Sequence, residues 1–165
     1  MFSDEARFGR ISNPKSCWSN IKVRPLVYNH FVREYRYTYG AVDPLDGEHF
    51  FIVAPTCNTQ WTSAFLSELS KAYPNDYLIL VMDNAVWHKS KSLVIPDNVE
   101  LVFIPPYTPE MNPIEQIWKE LRKDFANKHF NTLRDVLNHV DFAVNNLTHD
   151  VVKSITCRSW VNLVF

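Results

Sequence analysis

The sequence predicts an α/β domain, a mixed sheet flanked by helices, and three observations predict it. Strand-like segments come first and are followed by alternating helix and strand patterns. The apolar run Tyr77-Leu78-Ile79-Leu80-Val81-Met82 is bounded by turn residues and has the length of a buried strand. Ile114, Ile117, Trp118, Leu121 and Phe125 recur at helical spacing and form one apolar stripe. With 165 residues, 46% of them hydrophobic, the chain reads as a single domain over 1–165 with one sizeable core.

Taken in order, residues 1–8 read as a short strand carrying Asp4, and 9–25, rich in Ser, Asn, Pro and Lys, as a basic loop. Glu34 to Val42 alternates with Tyr35, Tyr37 and Tyr39 on one face. Asp43-Pro44-Leu45-Asp46-Gly47 supplies a turn, and His49 to Ala54 returns as the second arm of a hairpin. Trp61, Phe65, Leu66, Leu69 and Tyr73 then keep helical spacing, with Asn58 or Thr59 as cap, so a helix crosses over to the Tyr77–Met82 strand. Val99 to Ile104 is a further strand. The proline-rich loop after it leads into the helix of Glu115, and a last helix starts at the capping box Thr132-Leu133-Arg134-Asp135.

Composition narrows the function classes. Cys17, Cys57 and Cys157 are odd in number and lack metal-binding or disulfide spacing, which points to a reducing compartment. No signal pattern and no apolar stretch of membrane-span length is present, so a cytoplasmic protein without a membrane partner is expected. The net charge is only −1, yet Arg7 to Arg36 holds seven Lys and Arg against Glu34 alone, a local excess suited to phosphate. There is no G-x-S-x-G, no phosphate-binding loop and, with three glycines, no dinucleotide fingerprint.

Asp83 ends the apolar strand and therefore emerges at the carboxyl edge of the sheet, where open α/β sheets place ligands. Asp4 on a neighbouring strand is the comparable carboxylate, and a helix carboxylate would close the set. Three hard oxygen ligands on separate elements suit Mg²⁺ or Mn²⁺, and two such ions about 3.5–4 Å apart serve phosphodiester displacement. Each residue has a second explanation. Asp4 beside Glu5 near a terminus is, taken alone, most often solvated surface, and Asp83-Asn84 reads also as a turn. With Asn112 as N-cap and Pro113 at the first helical position, Glu115 falls where it would reach back to the cap amide. His88 reads either as a phosphate or metal-water contact or as a structural hydrogen-bonder beside Trp87. Among the tryptophans, Trp61, Trp118 and Trp160 read as packing residues, and Trp18 and Trp87 sit in loops that leave base stacking open.

Together, Phe2-Ser3-Asp4-Glu5-Ala6-Arg7-Phe8-Gly9, Val81-Met82-Asp83-Asn84-Ala85 with His88, and Pro105 to Trp118 with its Asn112-Pro113-Ile114-Glu115 core resemble the catalytic domain of mariner-like DDE transposases, bacterial insertion-sequence branch. The resemblance implies an RNase H-like fold, two Mg²⁺ or Mn²⁺ ions held by Asp4, Asp83 and Glu115 as catalytic acids, and Asn84, His88 and Asn112 as auxiliary residues. It also implies nicking of DNA at element ends and strand transfer into target DNA, with Lys15, Lys22, Arg24, Lys119 and Arg122 on the phosphates, in a nucleoid-associated setting. Family members carry helix-turn-helix modules ahead of this domain, and this chain begins three residues before Asp4. A helix-turn-helix partner chain and a homodimer are therefore candidate partners, and the Asp4 strand is expected to be short and weakly anchored. The rival reading is an inactive fragment that binds only DNA or transposase. A repair or RNA-processing nuclease on the same fold leaves the Asn112 to Glu115 block unexplained.

Overall fold

The computed structural model describes residues 1–11, 14–27, 29, 31–159 and 161. Trp160, read above as a packing residue, lies outside them. Five strands form one sheet: β1 (Phe2–Gly9), β2 (Tyr35–Val42), β3 (His49–Ala54), β4 (Leu78–Met82) and β5 (Val99–Phe103), in the order β3-β2-β1-β4-β5. The β1, β2 and β3 strands pair antiparallel as neighbours, whereas β1 with β4 and β4 with β5 pair parallel, so the sheet is mixed as predicted. Four helices flank it: α1 (Thr59–Ala72), α2 (Ile114–Asp124), α3 (Leu133–Asn145) and α4 (His149–Thr156). Among the described residues, no helix is long and apolar enough to cross a membrane.

Two apolar layers sandwich the sheet. On one face Phe65, Leu66 and Leu69 of α1 meet Tyr39, Ala41, Leu78, Leu80 and Met82. On the other, Ile114, Ile117, Trp118 and Leu121 of α2 join Val136 and Val140 of α3 and Val152 of α4 over Phe2, Ala6, Phe8 and Val42. Strand alternation sends these two sets to opposite sides, which is why an antiparallel meander can be buried on both. Asn58 caps α1 by accepting from the Trp61 amide at 3.0 Å, as expected. The Thr132 capping box is present, with Asp135 Oδ2 accepting from the Thr132 amide at 2.8 Å.

Three expectations need correction. β1 is not a short, fraying strand: it is eight residues long, lies at the centre of the sheet, and pairs with β2 along its whole length. Its start is tied on the other side too, because the amino group of Met1, just ahead of it, donates to the Ile79 carbonyl at 2.9 Å and the Val81 amide to the Met1 carbonyl at 2.9 Å. Central position, rather than the length of chain ahead of Asp4, anchors it. Asn112 does not cap α2 either: its amide closes a 3₁₀ turn onto the Pro109 carbonyl at 3.0 Å, and the helix starts at Ile114 after Pro113 in helical conformation. The capping role of Glu115 therefore has no free amide to serve. Finally, α3 is not the last helix, since Thr148 caps α4 by accepting from the Val151 amide.

Candidate active site

Sheet register brings two of the acids side by side. Phe2 pairs with Val81 in the parallel β1/β4 ladder, so two residues further along each strand Asp4 stands level with Asp83, just beyond the end of β4. Neighbouring strands lie about 4.8 Å apart. Asp4 faces the α2 layer, where the Trp118 indole N–H donates to its Oδ2 at 2.8 Å. Trp118, predicted to do no more than pack, is thus also the hydrogen-bond donor of the site.

The approach of α2 to Asp4 depends on Gly40, its register partner on β2. A Cβ at Gly40 would stand 2.5 Å from Phe51 Cε1 and 2.9 Å from Ile114 Cδ1. The absent side chain lets the first residue of α2 settle directly over β2. Asn112 then stitches the start of the helix to β1 by donating its Nδ2–H to the Ser3 carbonyl at 2.9 Å. Its Oδ1 is buried with no hydrogen-bond partner among the described residues, an orphaned hard oxygen next to Asp4's strand.

Electrostatics mark Asp4 as the uncompensated acid. Burial, then the charge of Glu115, push its carboxyl up to about 7, and only the Glu5 amide and the Trp118 indole oppose them through hydrogen bonds. Glu115 is half-buried on the same side as Lys119 and Arg122, at the edge of the α2 apolar stripe as predicted. Asp83 behaves differently. Its Oδ1 accepts from the Ala85 amide at 2.9 Å and stands 3.0 Å from His88 Nδ1, and the His88 bond is the main reason its carboxyl lies below the ordinary range.

His88 sits on a 3₁₀ turn (Val86–Lys89) held to α1 by the Thr59 hydroxyl, which donates to the Trp87 carbonyl at 3.4 Å. Its ring is buried, and the second nitrogen, Nε2, is 2.9 Å from Glu5 Oε1. Burial alone would lower its pKa, but hydrogen bonds to Asp83 and Glu5 outweigh it and raise the imidazole to about 10. His88 is therefore an imidazolium clamped between two carboxylates, and of its two candidate roles the structure supports hydrogen bonding within the protein. Trp87, left open for base stacking, is half-buried with its indole donating to Glu5 Oε1 at 3.4 Å. Trp18 is fully exposed. Asn84 is spent on structure, donating to the Ile104 carbonyl and accepting from Lys89.

The structure thus draws Asp4 and Glu115 into one electrostatic neighbourhood and turns Asp83 toward His88. Among the described residues, no three His, Cys, Asp or Glu side chains stand close enough together to hold a metal ion. A cleft of about 1480 Å³ opens from Glu115 between the end of β1 and α2. Of the five cations expected on phosphate, Lys15, Lys119 and Arg122 line it, whereas Lys22 and Arg24 stand exposed on the loop outside it. Arg7 and Arg33 of the basic segment also line it, together with Lys123 and Lys128, which sequence reasoning did not single out because only the fold brings positions so far apart to one wall. Arg10, within the basic segment, is spent on Glu34 at 2.6 Å and on the Phe130 carbonyl.

A family model for the DDE superfamily endonuclease matches residues 1–137. The uncharacterized protein y4pE/y4sA of Sinorhizobium fredii (strain NBRC 101917 / NGR234) is 34% identical over 130 residues, covering 76% of this chain and 96% of that protein. Among solved structures, a pre-cleavage Mos1 transpososome superposes with a TM-score of 0.71 at 14% identity, over 94% of this chain and 51% of that one. The Mos1 mariner paired-end complex with Mn gives 0.70 at 15% identity, over 94% and 50%. The chain spans about half the length of these Mos1 chains. Its mixed sheet is RNase H-like, as expected. The chain belongs to the DDE superfamily endonuclease family, and its fold is the one carried by the Mos1 mariner transposase.

Proposed function

We propose that this domain is the catalytic part of an insertion-sequence transposase, cleaving DNA at element ends and joining the freed 3′-hydroxyl to target DNA with divalent metal. The observation that carries this reading is the β1/β4 register, which sets Asp4 level with Asp83 at the end of β4, beside a basic cleft lined by Glu115. Mos1 supplies the analogy: related structures of that protein are complexes with a transposon end, with Mn and with Mg, and a strand transfer complex.

The donor types suit a hard divalent cation, around which the three acids would draw closer together than they stand here. Asp4 is a carboxyl made costly to ionise by burial and by Glu115, and among the described residues Asp83 Oδ2 and Asn112 Oδ1 have no hydrogen-bond partner. Asp4, Asp83 and Glu115 would hold the ions, and the chemistry supplied on binding is activation of a water or 3′-hydroxyl and stabilisation of the leaving oxygen. Trp118 and Asn112 fix the strand and helix that present Asp4 and Glu115. Lys15, Lys119 and Arg122 neutralise phosphates along the cleft, which positions the duplex without reading its sequence. Recognition of element ends belongs to helix-turn-helix modules beyond residues 1–165, in a longer chain or a partner, and pairing of two ends to a homodimer acting in the nucleoid.

The test is nicking of supercoiled plasmid by the purified chain with Mn²⁺. Nicking by the wild type and its loss in Asp83→Asn are expected; equal nicking by both sinks the assignment. A second reading, a module that binds DNA without cutting it, draws on the basic cleft alone and predicts DNA binding with no metal-dependent nicking.

A further inference from the structure

Glu5 has no part in the chemistry just described, yet it is among the more deeply placed carboxylates, with a side chain only 9% exposed. Strand alternation sends it to the face opposite Asp4: Asp4 meets Trp118 in the α2 layer, whereas Glu5's charge acts on Tyr39 and Cys57 in the α1 layer. It therefore reaches the underside of the turn that follows Asp83. There its Oε1 receives the Trp87 indole and faces His88 Nε2 at 2.9 Å, while the other face of the same ring meets Asp83 through Oδ1 at 3.0 Å and the carbonyl at 3.3 Å. With one nitrogen pinned by Glu5, the imidazole has a single orientation in which the other points at Asp83. Oδ1 of Asp83 is then held by two donors, His88 and the Ala85 amide, and Oδ2 has no hydrogen-bond partner among the described residues.

We propose that Glu5 is a positioning residue for the metal site, fixing through His88 the rotamer of Asp83 that presents Oδ2 to a divalent ion. This rests on the reading of Asp83 as a metal ligand. Stability alone gives a weak reason for such a pair, because buried ion pairs often contribute little over an apolar replacement. Hydrogen-bond partners that orient metal-ligating side chains do have a known magnitude: removing one typically weakens metal affinity or activity 10- to 100-fold.

The experiment measures Mn²⁺ binding by calorimetry on metal-free protein, beside the metal-free melting temperature and DNA affinity in EDTA, for wild type, Glu5→Ala, Glu5→Leu, Glu5→Gln, His88→Ala and the Glu5→Ala, His88→Ala double variant. Glu5→Leu keeps the volume without an acceptor and serves if Glu5→Ala does not fold. We expect Glu5→Ala and Glu5→Leu to raise the Mn²⁺ Kd by about tenfold. Glu5→Gln, which retains an acceptor for His88, should stay within about twofold of wild type, DNA affinity in EDTA should be unchanged, and the double variant should be no worse than His88→Ala. A lowered melting temperature with an unchanged Mn²⁺ Kd, additive effects in the double variant, or tighter Mn²⁺ binding on losing Glu5 would each overturn the proposal while leaving Asp83 as a ligand. Wild type and Asp83→Asn binding Mn²⁺ equally would instead overturn the reading of Asp83 itself.

Discussion

The Trp118 indole nitrogen donates to Asp4 Oδ2 at 2.8 Å, joining the middle of α2 to the central strand of the sheet. Trp118 is fully buried, so the bond satisfies an indole N–H that water does not reach. Trp118→Phe keeps an aromatic ring against Phe8 and Phe51 but removes the donor. It should cost about 1–3 kcal/mol in metal-free stability, measured by urea denaturation, and weaken Mn²⁺ binding measured by titration. Wild-type Mn²⁺ affinity in this variant would show that Trp118 only packs.

Asp4 gives a pH dependence with a definite sign. Its carboxyl is pushed from 3.8 to about 7, by burial first and Glu115 second. The folded protein then keeps a proton that the unfolded chain releases, so metal-free stability falls as pH rises from about 4 to about 7 and the loss is complete above that window. The shift corresponds to about 4 kcal/mol. Asp4→Asn removes this contribution, so the difference between variant and wild type should grow in the variant's favour from pH 4.5 to pH 7.5, as followed by chemical denaturation. A constant difference would contradict the placement of Asp4 in a buried, like-charged setting.

Gly40 tests whether the descent of α2 onto the sheet matters to the site. Gly40→Val would drive methyl groups into Phe51 and Ile114. Overpacking of this kind costs about 1–3 kcal/mol. The variant should melt lower than wild type and also lose Mn²⁺ affinity, because Ile114 precedes Glu115 on the displaced helix. Loss of stability with unchanged Mn²⁺ affinity would separate Glu115 from the metal site.

Much of this was legible in the sequence, for reasons that differ between elements. Five strands, the α1 cap and the Thr132 capping box follow from alternation, helical spacing and side-chain caps, all of which are local. The place of Asp83 at the end of β4 was readable because a buried strand of that length must deliver the residue after it to one edge of the sheet. Glu115 was not readable between cap and ligand, because that choice depended on whether the Asn112 amide was already bonded, and the Pro109 carbonyl bonds it. Glu5 was passed over as a surface neighbour of Asp4, since nothing local reveals that His88 folds beneath β1 to meet it. The weak anchoring expected for Asp4 failed because sheet order, a long-range property, put the first strand in the middle.

The cleft separates two groups of cations that sequence reasoning had joined. Lys15, Lys119 and Arg122 line it and Lys22 and Arg24 do not. Replacing the first three with Ala should weaken binding to any duplex about equally and reduce the magnitude of the salt slope by about 0.9 for each phosphate no longer neutralised. Replacing Lys22 and Arg24 should change the slope much less. Both are measured by fluorescence anisotropy over a salt series, and equal effects from the two groups would mean that DNA does not follow the cleft.

The most direct measurement is anomalous diffraction from crystals of this chain containing Mn²⁺. We expect Mn²⁺ peaks ligated by carboxylate oxygens of Asp4, Asp83 and Glu115, near the roughly 2.0–2.1 Å that Mg²⁺ demands, with His88 still bridging Glu5 and Asp83. Peaks that leave out Asp4 and Asp83, or no peak near β1 and β4 at saturating Mn²⁺, would contradict the metal site proposed for these acids.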